Sequence, residues 1–328
     1  MEFTRTRGAQ WRHNGPMKCC YHPAYQMPVP ASQAPGAAQP TAKAELLKDL
    51  LLAEGVLRAG DLIEPGMPDA ATLALVHSAE YLEKLQSSRL SVEEQRRIGL
   101  PWSDTLWLRS RLATGGTLLA ARVALESGLS ANLAGGSHHA FPDHGEGFCV
   151  LNDVAVAVNK LRAEGLIHRA LIVDLDVHQG NGTAAIFEHV DEVFTFSIHG
   201  ERNYPAIKMR SNLDVPLRDG VGDDDYLHAL RSHLPRVLEA ADPDIVFYLA
   251  GVDVAAGDRF GKLALSDEGI RRREREVVTA VRDRFLPLVI LLAGGYAQHR
   301  RRTAELHAHV FREAVAYERG ITPSPSTL

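Results

Sequence analysis

The apolar residues in the later part of the chain fall into short, nearly unbroken runs that alternate with segments of helical periodicity. The apolar runs cover residues 131–134, 169–174, 193–198, 244–250 and 287–292, and an earlier strand is predicted from Met17. Helical patterns cover residues 41–54, 69–86, 103–127, 150–164, 182–189, 223–240, 266–285 and 298–317. Continuous apolar runs indicate strands that are buried on both faces. Their alternation with helices predicts an α/β protein with a parallel sheet and helices on both faces.

The domain organisation follows from the absence of any break in composition. We predict one domain over residues 17–318, preceded by a flexible N-terminal extension at 1–16 and followed by a disordered tail at 319–328. The Pro- and Ala-rich segment 26–41 and the segment 199–222 are predicted to be long loops. Loops of that length in a compact domain usually carry function, so we expect segment 26–41 to shape the mouth of a pocket.

Composition and charge exclude several classes of partner. The 328 residues are 45% hydrophobic and 23% charged, with a formal net charge of −5. Because the balance is acidic and no basic stripe is present, direct binding to nucleic acid is not expected. No apolar run approaches the ~18 residues that a membrane span needs, and no secretory signal is visible. Three cysteines, two of them adjacent, suit a reducing compartment, so we predict a cytoplasmic protein.

The polar residues that end the run at 169–174 indicate a binding site. Asp174, Asp176 and His178 are spaced by two, which places them on one face of an extended chain. Ligands of parallel α/β sheets bind just beyond the carboxyl ends of the strands. Carboxylate and imidazole together suit a divalent transition metal, with Zn²⁺ first. The alternative is a hydrogen-bonded structural pair, and further residues are needed to decide.

Three other apolar runs are also followed by polar clusters. His138 and His139 follow residues 131–134, Asp253 follows 244–250, and Tyr296 follows 287–292. Each has a plain structural alternative: a solvated histidine pair, a turn-forming aspartate and a packed core tyrosine. Since all of these positions lie at the same edge of a parallel sheet, we predict that they form one site.

The predicted metal ligands are Asp176, His178 and Asp253. Two oxygens and one nitrogen leave one coordination position open, which is typical of a catalytic zinc rather than a structural one. A zinc ion of that kind activates water and polarises a carbonyl group. Asp174 lies in an apolar strand, where a carboxylate needs a compensating partner.

The histidine pair and the tyrosine are predicted to complete a hydrolytic site. His138 and His139 are expected beside Asp174 and Asn181. An aspartate favours a charged ring, whereas an asparagine orients the ring without that charge. One histidine can then act as a neutral general base while its neighbour is biased towards imidazolium. Tyr296 can donate a hydrogen bond to a developing oxyanion. Together these residues predict hydrolysis of an acyl bond.

These motifs resemble those of the zinc-dependent histone deacetylase family, which has the arginase-like fold. The resemblance runs from about Tyr21 to Val315 and rests on GGSHHA (135–140), GEGFCVLND (145–153), VDLDVHQGNG (173–182), FSIHGERNYP (196–205), AGVDVAAGDRFG (250–261) and AGGYAQ (293–298). Asn181, where class I members carry aspartate, together with the stretch AGDRFGKLALSDEGI (256–270) and the compact length, makes the chain most similar to the class IV branch and its bacterial relatives.

The resemblance implies a three-layer α/β domain with an eight-stranded parallel sheet. It also implies one zinc per chain on Asp176, His178 and Asp253, with His139 as general base and acid and Tyr296 at the oxyanion. Gly147, Phe148 and Tyr204 would line the tunnel that holds the acyl-lysine stem. A K⁺ or Na⁺ ion would be held by Asp174 and Ser197, with Asp176, His178 and neighbouring carbonyl groups. A second cation site would use backbone oxygens near Phe187, Val190 and Val193.

The predicted function is zinc-dependent hydrolysis of an acetyl- or longer fatty-acyl-lysine in a protein or peptide. One alternative keeps the chemistry and changes the substrate to an acetylpolyamine or another small acylated amine. A second is an arginase-like dimanganese hydrolase, which would need more carboxylates than residues 251–254 and Asn181 provide. A third is a non-catalytic module that binds acyl-peptides. The sequence favours no particular oligomeric state.

Overall fold

The structure, a computed structural model, describes residues 16–26 and 43–321. The predicted N-terminal extension, apart from Pro16, lies outside the described residues, as does the predicted loop 26–41, apart from Gln26. Most of the predicted tail, residues 322–328, also lies outside them.

Within the part of the chain that the structure describes, eight strands form a single sheet in which every pair of neighbours is parallel. They are β1 (Lys18–Cys20), β2 (Leu62–Ile63), β3 (Leu129–Asn132), β4 (Ala170–Asp174), β5 (Val193–Gly200), β6 (Leu213–Leu217), β7 (Ile245–Leu249) and β8 (Leu288–Leu291). Their order across the sheet is β2-β1-β3-β8-β7-β4-β5-β6. The eight-stranded parallel sheet expected from the resemblance is confirmed.

Ten α-helices connect and cover the strands in the described residues. They are α1 (Lys43–Ala53), α2 (Ala70–Leu73), α3 (Ala79–Gln86), α4 (Val92–Ile98), α5 (Asp104–Ser127), α6 (Asp153–Ala163), α7 (Asn181–Phe187), α8 (Asp223–Ala241), α9 (Asp267–Arg282) and α10 (Arg300–Glu318). The longest, α5, begins after the N-cap Ser103, whose side chain accepts a hydrogen bond from the Leu106 N–H, and it ends at Gly128 with φ 88°. A left-handed glycine is a common stop signal for a helix.

Alternate residues of each central strand pack into two different cores. In β4, Leu171 and Val173 face a core shared with α1, α8, α9 and α10, whereas Ala170 and Ile172 face a core shared with α5, α6 and α7. The sheet is therefore covered by helices on both faces, as the continuous apolar runs predicted.

The predictions for two segments were wrong. The predicted loop 199–222 contains β6, an edge strand with Pro216 in it, and proline is tolerated at an edge because no ladder hydrogen bond is lost there. The predicted helix 69–86 is two helices, α2 and α3. Ser78 divides them, because its side chain caps α3 at the Tyr81 N–H while its own N–H bonds the Pro142 carbonyl.

The strand order determines where the polar clusters meet. Strands β3, β8, β7 and β4 are consecutive across the sheet. Because all four are parallel, their carboxyl ends open at the same edge, and each is followed by one of the clusters singled out in the sequence.

Candidate active site and metal centre

Three ligand-type side chains converge beyond the ends of β4 and β7. Asp176, His178 and Asp253 are buried, and one ligand atom from each lies within 4.8 Å of the others. The Nδ1 atom of His178 is 3.0 Å from Oδ1 of Asp176 and 3.2 Å from Oδ2 of Asp253. No other group of three or more His, Cys, Asp or Glu side chains in the described residues has this geometry.

The arrangement of the donors fits a metal cation. The Oδ2 atom of Asp253 is buried, and the 3.2 Å contact with Nδ1 of His178 does not have the geometry of a hydrogen bond, although a buried acceptor normally has a partner. Burial, together with the charge of Asp176, raises the pKa of Asp253 to about 7. A divalent cation between the two carboxylates would satisfy the free oxygen and offset the repulsion.

Gly294 keeps the space around the donors open. A Cβ atom at this position would lie 1.9 Å from Oδ2 of Asp253 and 2.4 Å from Oδ2 of Asp176. The Gly294 N–H also donates a hydrogen bond of 2.5 Å to the Asp176 carboxylate. Any larger residue would displace the two carboxylates, which explains the glycine at position 294, in the loop after β8.

A buried arginine braces the two loops that carry the carboxylate ligands. Arg273 of α9 is fully buried, and its Nη1 atom donates hydrogen bonds to the carbonyl groups of Leu175 (3.2 Å) and Gly251 (2.8 Å). Its charge is paired with the buried Glu274, which also accepts a hydrogen bond from the Tyr248 hydroxyl. Arg273 could not be recognised from the sequence pattern, because helical periodicity gives no sign of a contact almost a hundred positions away.

The histidine pair lies next to the metal centre, and each ring has a different partner. The Nδ1 atom of His138 is 2.6 Å from Oδ2 of Asp174, and that of His139 is 2.7 Å from Oδ1 of Asn181. The ring centroids of the two histidines are 4.1 Å apart.

The surroundings of the two histidines shift their pKa values in opposite directions. Burial by itself lowers the pKa of His138, but the charges of Asp174 and Asp176 outweigh it and raise the pKa to about 9. Burial and the charges of His138 and His178 hold the pKa of His139 well below its ordinary value. These opposite pKa shifts favour a charged His138 beside a neutral His139.

Tyr296 reaches the same cavity from the loop after β8. Its ring centroid is 6.4 Å from that of His178. Burial and the nearby carboxylates raise the pKa of Tyr296 well above its ordinary range, so its hydroxyl remains a proton donor. The backbone N–H of Tyr296 donates to Asp258, whose other oxygen accepts from Phe260 and Gly261. Asp258 therefore fixes the tyrosine loop to the loop after β7.

The predicted tunnel residues line one entrance cavity that leads to the metal centre. Gly147, Phe148 and Tyr204 all lie on its wall, together with Phe260, which the sequence analysis did not single out. The ring of Phe260 is 6.2 Å from that of Phe148 and 5.0 Å from that of Tyr296. Phe260 belongs to the motif AGVDVAAGDRFG (250–261), which follows β7. Its place in that motif could have identified it as a tunnel residue.

A tight turn presents the first part of this wall. Glu146 and Cys149 form a two-residue hairpin around Gly147 (φ 55°) and Phe148 (φ 68°). A Cβ atom at Gly147 would lie 2.6 Å from the ring of His139. Glycine is required there because the turn needs a positive φ and because the backbone lies directly against the histidine.

The predicted monovalent-cation residues are adjacent in the sheet. Asp174 and Ser197 are register partners in β4 and β5, and the Ser197 hydroxyl is 2.9 Å from Nδ1 of His199. Oδ1 of Asp174 accepts the Asp176 N–H at 3.1 Å, and its other oxygen bonds His138. Whether they hold a cation stays a prediction.

A second cavity extends inward from the histidine pair and carries two cationic side chains. Tyr25, Lys43 and Arg109 line it beyond the Gly135–Ser137 loop. The Lys43 ammonium donates to the Ala293 carbonyl, and Nε of Arg109 donates to the Tyr25 carbonyl at 3.0 Å. These three lining residues could not be recognised from the sequence, because they come from separate elements without a shared motif.

The chain is similar to known proteins over most of its length. The histone deacetylase domain model matches residues 38–314. An uncharacterised protein of Picosynechococcus sp. is 46% identical over 90% of this chain and 96% of its own length. Histone deacetylase 2 of Arabidopsis thaliana is 31% identical over 75% of this chain, and histone deacetylase 1 of Homo sapiens is 30% identical over 76%. The matched regions are 66% and 55% of these two relatives.

Among solved structures, the HDA15 HD domain superposes with a TM-score of 0.72 over 94% of this chain and 90% of that one, at 24% identity. That similarity supports the fold. The chain belongs to the histone deacetylase family, and it is a hydrolase of that family. None of the helices in the described residues combines the length and the apolar character that a membrane crossing requires.

Proposed function

We propose that the chain is a zinc-dependent deacylase that hydrolyses the side-chain amide of an acyl-lysine. The observation that carries the proposal is the convergence of a buried Asp-His-Asp group, a histidine pair and a tyrosine at the end of an aromatic-lined tunnel. The donor set of Asp176, His178 and Asp253 is that of a catalytic zinc with an open position. When bound, zinc supplies a Lewis acid that activates water and polarises a carbonyl group.

The residues around the metal centre divide the proton transfers among them. His139 is neutral, and since its Nδ1 atom is engaged by Asn181, its Nε2 atom is free to accept the proton of the attacking water. The same ring then returns that proton to the leaving lysine amine. His138, kept charged by Asp174, stabilises the negative charge that develops nearby. The Tyr296 hydroxyl donates to the developing oxyanion.

The tunnel fits the stem of a lysine side chain. Flat rings of Phe148, Tyr204 and Phe260 form an apolar passage for a methylene chain. The second cavity, lined by Tyr25, Lys43 and Arg109, suits the carboxylic acid that hydrolysis releases. A released carboxylic acid is an anion at neutral pH, and the cationic groups of Lys43 and Arg109 lie where it would collect.

The alternatives are less consistent with these contacts. An arginase-like second metal would need Asn181 as a ligand, but its amide is occupied by His139 and Glu146. An acetylpolyamine is a polycation, and the charged residues that line the described part of the entrance are Arg97, Arg202 and Lys262, with no carboxylate among them. We therefore favour acyl-lysine in a neutral or acidic sequence. A K⁺ or Na⁺ ion at Asp174 and Ser197, and a cytoplasmic location, remain predictions.

The proposal is tested by activity on fluorogenic acyl-lysine peptides from acetyl to myristoyl, measured before chelation, after chelation and after Zn²⁺ is restored. We expect turnover that chelation abolishes and zinc restores, and the chain-length series then identifies the acyl group. Turnover that survives complete removal of the metal would contradict zinc dependence. Stoichiometric binding of acyl-peptide without any turnover would favour the non-catalytic binding module.

The cationic entrance leads to a prediction about substrate sequence. Peptides with Asp or Glu beside the acyl-lysine are expected to have a kcat/KM about tenfold higher than peptides with Lys or Arg there, at low ionic strength, because the entrance attracts anions. Salt should reduce the difference. Arg202→Ala should also reduce it, whereas Arg210→Ala, which removes an exposed arginine outside the entrance lining, should not. An equal rate for both peptide sets would contradict the prediction.

A further inference from the structure

The asparagine that contacts His139 is itself held by a glutamate. The Nδ2 atom of Asn181 donates a hydrogen bond of 2.6 Å to Oε1 of Glu146, while its Oδ1 atom is 2.7 Å from Nδ1 of His139. Asn181 is buried, and the side chain of Glu146 is 16% exposed. The three side chains therefore form a line from the protein surface to the histidine.

The direction of the Asn181 amide decides which nitrogen of His139 carries the proton. An amide has an accepting oxygen and a donating nitrogen of nearly the same shape, so it can be turned over within one space. With Oδ1 towards the ring, Nδ1 must carry the hydrogen and Nε2 keeps its lone pair. With the NH₂ group towards the ring, Nδ1 becomes the acceptor and the hydrogen moves to Nε2. A ring in that second state cannot accept a proton from water at Nε2.

Glu146 removes this ambiguity because a carboxylate can only accept hydrogen bonds. Burial by itself raises the pKa of Glu146, but hydrogen bonds with His144, Asn181 and Tyr204 lower it to about 2. An ionised carboxylate beside the amide requires the NH₂ group to face it, and the bond is of the strong charge-assisted kind. An aspartate at position 181 would not need such a partner, because both of its oxygens accept.

We propose that Glu146 is a positioning residue that fixes the orientation of the Asn181 amide and thereby holds His139 in the tautomer with its proton on Nδ1. The inference rests on the proposed function, in which Nε2 of His139 accepts a proton. Glu146 is also held rigidly, because its backbone forms both hydrogen bonds of the hairpin with Cys149, at 3.0 and 2.8 Å. The turn that places Phe148 in the tunnel wall therefore also holds Glu146, and through Asn181 it sets the tautomer of His139.

A double-mutant cycle between positions 146 and 181 tests the inference through activity. Glu146→Ala should lower kcat by about 10²-fold, the lower end of what a positioned base contributes. Asn181→Asp alone should also be impaired, since it brings two carboxylates into contact. The double variant should recover to within about tenfold of the wild-type kcat, each enzyme being compared at its own pH optimum. If Glu146→Ala lowers kcat by the same factor in the wild type and in Asn181→Asp, the proposal is overturned.

A second measurement does not depend on turnover. In the zinc-loaded protein labelled with ¹⁵N-histidine, His139 is identified by its loss in His139→Ala. We expect a protonated Nδ1 in the wild type and a shift of the proton towards Nε2 in Glu146→Ala. Asp143→Ala, which removes an exposed neighbouring carboxylate that does not contact Asn181, should leave the tautomer unchanged. If His139 has the same tautomer in the wild type and in Glu146→Ala, the proposed role of Glu146 is wrong, even if the enzyme proves active.

Discussion

Asp253→Ala is expected to abolish metal retention and, with it, turnover. The side chain supplies one of three donors in a buried site. Loss of a residue that only hydrogen-bonds a metal ligand typically weakens metal binding by about 10–100-fold, and loss of a ligand should weaken it further. Metal content after dialysis, measured by elemental analysis, checks the result. Stoichiometric zinc in the variant would remove Asp253 from the ligand set.

Two further variants separate this effect from misfolding. Oδ1 of Asp253 accepts the Val177 N–H at 2.9 Å, and Asp253→Ala leaves that buried donor unpaired. Asp253→Asn keeps an acceptor for it but removes the charge, so it should fold like the wild type and still bind metal weakly. Asp219→Ala, which removes an exposed carboxylate, should retain the metal fully.

Tyr296→Phe is expected to lower kcat by about 10²–10³-fold while the metal stays bound and KM changes little. The hydroxyl donates to charge that exists in the transition state and not in the ground state, so the loss should appear in kcat. The phenylalanine ring keeps its contacts with Phe148 and Phe260, and the backbone bond to Asp258 is unaffected. Steady-state kinetics with zinc content measured on the same sample is the test.

A matched control is available in α10. Tyr317 donates its hydroxyl to the carboxylate of Asp283, and it is not among the residues that line the tunnel. Tyr317→Phe should therefore leave kcat unchanged. Undiminished turnover in Tyr296→Phe would mean that another group stabilises the oxyanion.

The contrast between Asp174 and Asn181 illustrates how the two histidines can differ although they are adjacent in sequence. Both rings are buried, and burial lowers the pKa of each. A carboxylate reverses that effect for His138, whereas an amide does not reverse it for His139. The charge of Glu146 reaches His139 through the Asn181 amide, so it sets the direction of a hydrogen bond instead of forming an ion pair with the ring.

Much of the fold follows from local pattern. The runs around Ala170–Asp174 and Ile245–Leu249 predicted buried strands because an unbroken apolar segment must be covered on both faces. Helix α5 was delimited correctly at Gly128, where only a residue tolerant of positive φ ends the helix. Strand β6 was missed because Pro216 is a breaker signal unless the strand is known to lie at an edge. Its edge position is a property of the whole sheet.

The sequence by itself determined which side chains would stand at the ends of which strands, since a period of two and a parallel sheet suffice for that. Only the tertiary structure decided that β3, β8, β7 and β4 are neighbours, so that Asp176 and Asp253 come within ligand distance. The same holds for the Arg273 brace and the Glu146 contact with Asn181. These contacts join residues far apart in the chain, and their partners are selected by packing and by the cost of burying an unpaired charge, which no local pattern encodes.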